Sequence, residues 1–178
     1  MLNKSLLHLS VATALLCASA ITLAATAPAS ITVSATVSQG CSISTTSALA
    51  FGAYDPIGAN ATAALNATGQ VSVACSKGSK SLTIGLNDGT HAVAAQRRMQ
   101  GVVATDVLLY NLFQPPSNEP GVACTFPGTI AWSGTAVLAL GNAPTKEARL
   151  YNVCGTIPGG QDATTGAYTD TVIATLNF

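Results

Sequence analysis

The sequence has 178 residues, 48% hydrophobic and only 8% charged, and its seven basic and seven acidic residues cancel to a formal net charge of +0. That balance excludes the basic footprint that nucleic acid or an anionic surface would require. With so little charge, hydroxyl and amide groups must keep the surface in solution, a condition that favours association over mutual repulsion.

The chain opens on Lys4 and a mainly apolar run from Leu6 to Ile21, closing in small residues at Ala18-Ser19-Ala20 and Ala24-Ala25. This pattern predicts a secretory signal peptide over 1–24, and no later stretch approaches the roughly 20 apolar residues of a membrane span. Cys17 could be read as a lipid-acylation site, but Leu16 stands where such sites want a small residue. Removing residues 1–24 from 178 leaves 154, enough for one domain with a sizeable core. Loss of Lys4 leaves six basic against seven acidic residues, a formal charge of −1.

A period-two pattern follows at once. Ile31, Val33, Ala35 and Val37 alternate with Ser30, Thr32, Ser34, Thr36 and Ser38, which predicts a strand with one apolar face. The alternation recurs at Val71, Val73 and Cys75, at Leu82, Ile84 and Leu86, at Leu108, Tyr110 and Leu112, and at Ala136, Leu138 and Leu140. It closes at Tyr168, Val172, Ala174, Leu176 and Phe178. Between these lie turn clusters such as Asp55-Pro56, Asn87-Asp88-Gly89, Gln114-Pro115-Pro116 and Pro158-Gly159-Gly160. Residues 60–65 fit no strand pattern and are expected as loop. Seven to nine short strands with turns between them predict an all-β, immunoglobulin-like sandwich, with a barrel as the alternative.

Four cysteines remain after residue 24: Cys41, Cys75, Cys124 and Cys154. An even number in an exported chain predicts disulfides, and three pairings stay open. Pairing neighbours in sequence would close loops of 34 and 30 residues, each contributing about 3 to 4 kcal/mol by loop-closure entropy. No C-x-x-C pair is present, so a metal site is not expected.

Catalytic equipment is not visible. Beyond residue 24 the histidine is His91, in a polar turn after Asn87-Asp88-Gly89-Thr90, and it is expected as a solvated loop imidazole. The carboxylates Asp55, Asp88, Asp106, Glu119, Glu147, Asp162 and Asp170 are scattered singly, where local backbone hydrogen bonds are their usual role. No G-x-S-x-G, Walker loop or G-x-G-x-x-G occurs, and Arg97-Arg98 is a lone basic doublet. The Asn-x-Thr triplets at Asn60 and Asn66 would read as glycosylation acceptors in a eukaryotic secretory protein and carry no weight if the chain is bacterial. The expectation is therefore no enzyme, no cofactor and no catalytic or metal-binding residues.

Several longer blocks are distinctive together. They are Leu49-Ala50-Phe51-Gly52-Ala53-Tyr54-Asp55-Pro56, Val71-Ser72-Val73-Ala74-Cys75, Arg98-Met99, Leu109-Tyr110-Asn111-Leu112, Tyr151-Asn152-Val153-Cys154-Gly155-Thr156-Ile157-Pro158 and Gly166-Ala167-Tyr168-Thr169-Asp170-Thr171-Val172. In these blocks the chain resembles the spore coat U domain proteins, whose relatives include archaic chaperone-usher pilus subunits of the Csu type. The resemblance implies a pilin-type sandwich over 39–178 that lacks one strand, preceded by a donor-strand extension over 25–38. It implies that Ile31, Val33, Ala35 and Val37 fill a neighbouring subunit's groove; by pattern alone the same segment could equally be the first strand of its own sandwich. It further implies that the last strand, through Val172, Ala174, Leu176 and Phe178, meets a periplasmic chaperone, and that an outer-membrane usher and neighbouring subunits are partners. Tyr168 could form a tyrosine-corner lock or pack as an ordinary core residue.

The leading expectation is a structural pilus subunit, passing through the periplasm to the cell surface and supporting adhesion or biofilm formation. The alternatives are a monomeric secreted ligand-binding sandwich and a spore-coat-like structural protein.

Overall fold

The computed structural model describes residues 25–178; the expected signal peptide, with Lys4 and Cys17, lies outside the described residues. The chain divides after Thr36. In the described part of the first unit, residues 25–36 form no strand, and Ile31 and Val33 are 87% and 90% exposed. The alternation there does not make a strand, because a lone strand leaves its N–H and C=O groups without ladder partners.

The second unit, Val37–Phe178, is all-β, with no helix among the described residues. Its strands are β1 (Cys41–Ser47), β2 (Leu65–Cys75), β3 (Thr83–Leu86), β4 (Arg98–Gln100), β5 (Val107–Leu109), β6 (Asn111–Phe113), β7 (Leu138–Ala139), β8 (Arg149–Ile157) and β9 (Ala174–Asn177). One sheet has the order β1-β2-β8-β6, a second β7-β3-β9, and β4 and β5 form a hairpin. All pairings are antiparallel. The two main sheets enclose a common core, giving the immunoglobulin-like sandwich.

Alternating burial along β2 sends Val71, Val73 and Cys75 into that core, where Ile84 and Leu86 of β3 and Tyr151 and Val153 of β8 join them. The single run expected at Leu108, Tyr110 and Leu112 is interrupted at Tyr110. β5 pairs with β4, whereas β6 pairs with β8, so the chain changes sheets at that residue. All three side chains remain buried, which is why the alternation survives the change of partner. β9 is likewise shorter than the run from Tyr168 to Phe178, beginning only at Ala174.

Trp132, outside the periodic runs, is fully buried, and its Nε1–H donates to the Ile84 carbonyl at 2.8 Å. A buried indole must place its one donor, and the β3 backbone accepts it. Trp132→Ala is expected to lower unfolding free energy by about 3 to 5 kcal/mol, measurable as a shift in urea midpoint.

Of the three possible cystine pairings the structure forms Cys41–Cys75 and Cys124–Cys154. The first joins β1 to β2 at a directly opposed pair; the second ties a loop residue to the middle of β8. Of residues 60–65, expected as loop, 60–64 lie outside any strand and Leu65 opens β2. The Asp55 carboxylate accepts from the N–H groups of Ile57 and Gly58, and Asn60 is 4% exposed, its side chain accepting from Asp55 N and donating to Ala63 O. The Asn60 amide is therefore turned inward and used by the fold.

Candidate functional site

Each main sheet ends on one side in a strand that borders the same opening: β1, which pairs only with β2, and β9, which pairs only with β3. Their free edges flank a cleft of about 390 Å³. Its floor is apolar, built from Val71, Leu86, Leu112 and Val153, and its sides carry Thr45 from β1 and Val172 and Ala174 from the β9 side. Toward one end stand Phe51 and Tyr110, edge to face with centroids 6.3 Å apart. A second cleft of about 550 Å³ shares Leu49, Phe51, Met99 and Tyr168 with the first.

Glycines let the segment after β1 lie this low. A Cβ on Gly69 would stand 3.1 Å from the Leu49 backbone, and one on Gly155 2.6 Å from a Leu49 methyl and 2.8 Å from the Phe51 ring. Leu49 and Phe51 thus rest on bare backbone of β2 and β8.

Strand register says which backbone groups face the cleft. Cys41 and Cys75 have Cα atoms 4.1 Å apart, the narrow spacing of a non-hydrogen-bonded pair. Ser42 and Ser44 therefore exchange bonds with β2, and the N–H and C=O groups of Ile43 and Thr45 point to the free side. On the other wall the carbonyls of Thr171 and Ile173 accept from Thr90 N and Asn87 N. By alternation, the groups of Val172, Ala174 and Leu176 point to the free side. Two unpaired rails and an apolar floor form a template for an added strand.

Asp170 lines the cleft, and its side chain is 2% exposed. It accepts from Thr90 N at 2.9 Å, Thr90 Oγ1 at 2.8 Å, His91 N at 3.2 Å and the Tyr110 hydroxyl at 2.6 Å, with His91 Nδ1 at 3.1 Å. Burial alone would raise its pKa, but the bonds from Tyr110, Thr90 and the Thr171 and His91 backbones outweigh this and hold it below the usual 3.8. Burial, reinforced by the Asp170 charge, pushes the Tyr110 phenol up, so it remains a donor. His91 is consequently not a solvated imidazole but a half-buried member of this cluster. A depressed carboxylate stabilises the fold above its unfolded-state pKa, and that contribution is lost as pH falls through the lower folded value. Acid titration of unfolding should therefore show stability falling below about pH 4, with a flatter acid limb in Asp170→Asn.

The structure places the residues singled out from sequence as follows. Ile31, Val33 and Ala35 are exposed in the first unit, and Val37 is 87% exposed at the start of the second. Val172, Ala174 and Leu176 are half-buried against the core, and Phe178 is 56% exposed. Tyr168 donates its hydroxyl to the Thr164 carbonyl four residues upstream at 2.7 Å, the bond of a tyrosine corner. Among the described residues no group of three His, Cys, Asp or Glu side chains could hold a metal ion, and no helix is long and apolar enough to cross a membrane.

Residues 27–175 match the Spore Coat Protein U domain. The chain belongs to that family. "Protein U" of Myxococcus xanthus is 34% identical over 168 residues, covering 87% of each chain. Among solved structures, this chain is similar in fold to a chain in the CsuC-CsuE chaperone-tip adhesion subunit pre-assembly complex from archaic chaperone-usher Csu pili of Acinetobacter baumannii. That likeness has a TM-score of 0.54 and 21% identity and covers 80% of this chain. It spans 41% of the other chain, and at this identity it speaks for the fold alone.

Sequence reasoning missed Asp170 as a hub, together with Tyr110, Thr90 and Asn87. The one available signal was the Asn-Asp-Gly turn lying opposite a lone Asp at the start of the last alternating run.

Proposed function

We infer that this chain is a structural subunit of an extracellular chaperone-usher-type pilus, and that it assembles by donor-strand complementation. The observation that carries this reading is the pair of unpaired edges, β1 and β9, flanking an apolar-floored cleft. Residues 25–38 supply a fitting guest, with Ile31, Val33, Ala35 and Val37 on one face of an extended strand. From Ile31 to Val37 such a strand spans about 20 Å. Main-chain bonds to the rails would give affinity, and the alternate side chains would give register.

In this reading residues 1–24 direct export and are removed. A periplasmic chaperone covers the cleft first, contacting Val172, Ala174, Leu176 and Phe178. At an outer-membrane usher the next subunit's extension replaces it, and the finished fibre at the cell surface supports adhesion or biofilm formation. The domain itself, residues 39–178, performs no catalysis. Family membership and the 34% identical Protein U favour, as a second destination, a surface coat built through the same joint.

The test is to produce the chain from residue 25 and from residue 39 and follow polymer formation by size-exclusion chromatography and electron microscopy. Polymers are expected only from the longer form. Polymerisation that survives the deletion overturns the donor assignment.

A further inference from the structure

Between Thr169, bridged to Gln100, and Ala174, where β9 begins, four residues of the cleft's edge run outside any strand ladder. Side chains hold them. Asp170 clasps the Thr90–His91 turn through the bonds given above, and Asn87 Oδ1 accepts from Ile173 N at 2.8 Å and from Gly89 N at 3.2 Å. Beneath, the buried Arg97 guanidinium donates to the carbonyls of Leu86 and Asn87. Gly89 has φ +90°, and a Cβ there would fall 2.0 Å from Asp170 Oδ2, so the turn closes on the carboxylate only because this residue has no side chain.

We propose that Asp170 is the positioning residue of the strand-accepting edge: by joining Tyr110, at one end of the cleft, to the 87–91 turn, it holds residues 170–173 extended so that Val172 offers its N–H and C=O to an incoming strand. This rests on reading the β1–β9 cleft as a strand acceptor. Asp170 itself contacts no guest; its five contacts are with Thr90, His91 and Tyr110. Without them, residues 170–173 retain the two backbone bonds to Thr90 and Asn87 and the one that Ile173 N donates to the Asn87 side chain. An edge free to sample several conformations captures a guest more slowly, because only the extended fraction is competent.

The probe is a synthetic peptide of residues 27–38, offered to the full chain from residue 25 at a dilution where copies do not meet. Peptide capture is read by fluorescence, and amide hydrogen exchange is read in parallel. Asp170→Asn keeps the shape and removes the charge, and Gly89→Ala forces the same contact apart from the other side. Both variants are expected to lose protection at the Thr90, His91 and Ile173 amides and to capture peptide about tenfold more slowly, the scale of one lost charge-assisted hydrogen bond. Protection in β2 and β8 should be unchanged. Capture at the wild-type rate by Asp170→Asn overturns the proposal, as does slowing that appears only together with lost protection in β2 and β8. If the unaltered chain captures no peptide, the strand-acceptor reading fails and this inference falls with it.

Discussion

Val33→Asp is expected to abolish assembly, whereas Ser34→Asp, one residue on, is expected to leave it intact. On an added strand, side chains one residue apart point to opposite faces. In the joint proposed above, Val33 would enter the apolar cleft of the neighbouring copy and Ser34 would face water. Seating Val33 is worth about 1.5 to 3 kcal/mol, and an unpaired carboxylate in its place costs a few more. The sum exceeds about 4 kcal/mol, or roughly a thousandfold in affinity. Analytical ultracentrifugation of the two variants measures the contrast directly. Equal assembly by both would remove residues 30–38 from the joint, and equal failure would mean that added charge, rather than a buried face, disrupts the fibre.

Removing the Cys41–Cys75 bridge by paired substitution to Ala should have the next largest effect. It closes 34 residues of chain, and its loss is expected to cost about 3 to 4 kcal/mol, a large fraction of the 5 to 15 kcal/mol that holds a domain folded. The bridge also fastens the first residue of β1, one of the two cleft walls, to β2. Removing Cys124–Cys154 should cost a similar amount, since its loop has 30 residues, but that bridge anchors a loop to a central strand rather than an edge. Both double variants are expected to unfold at lower denaturant. Only the Cys41/Cys75 variant should also weaken capture of the 27–38 peptide at denaturant-free stability. A cleft that captures equally well in both would show that β1 needs no fastening at its first residue.

The strands that could be read from the sequence are those with one wet face. Val71, Val73 and Cys75 alternate because β2 buries only every second residue in this stretch. β8 was less legible because it lies between β2 and β6 and buries Val153, Cys154 and Gly155 in succession, so the period-two signal fades where both faces are covered. β1 was hidden for the opposite reason. Its Ser and Thr residues leave only Cys41 and Ile43 turned toward the core, as suits the edge of a sheet. The cleft's apolar floor was implicit in the alternating residues, but its polar fastening was not. Thr90 and Asp170 are 80 residues apart, and Tyr110 and Asp170 are 60 apart, and nothing local marks any of them as partners. The run at 30–38 has the alternation of an amphipathic strand but forms none here, because periodicity does not encode the neighbour that a strand needs.

If the chain assembles as proposed, the change of sheet at Tyr110 matters once the fibre is pulled. A guest seated along β9 would hand tension to Val172 and Asp170, and from Asp170 through a single short hydrogen bond to the Tyr110 hydroxyl. The backbone of Tyr110 runs straight into β6, which is laced to β8, and β8 is stapled by its own cystine at Cys154. In a fibre of the proposed kind, a force arriving at the rim of one sheet would thereby pass to a strand of the other that is paired on both sides and bridged by a cystine, so that the subunit would stretch as one body rather than peel at its edge.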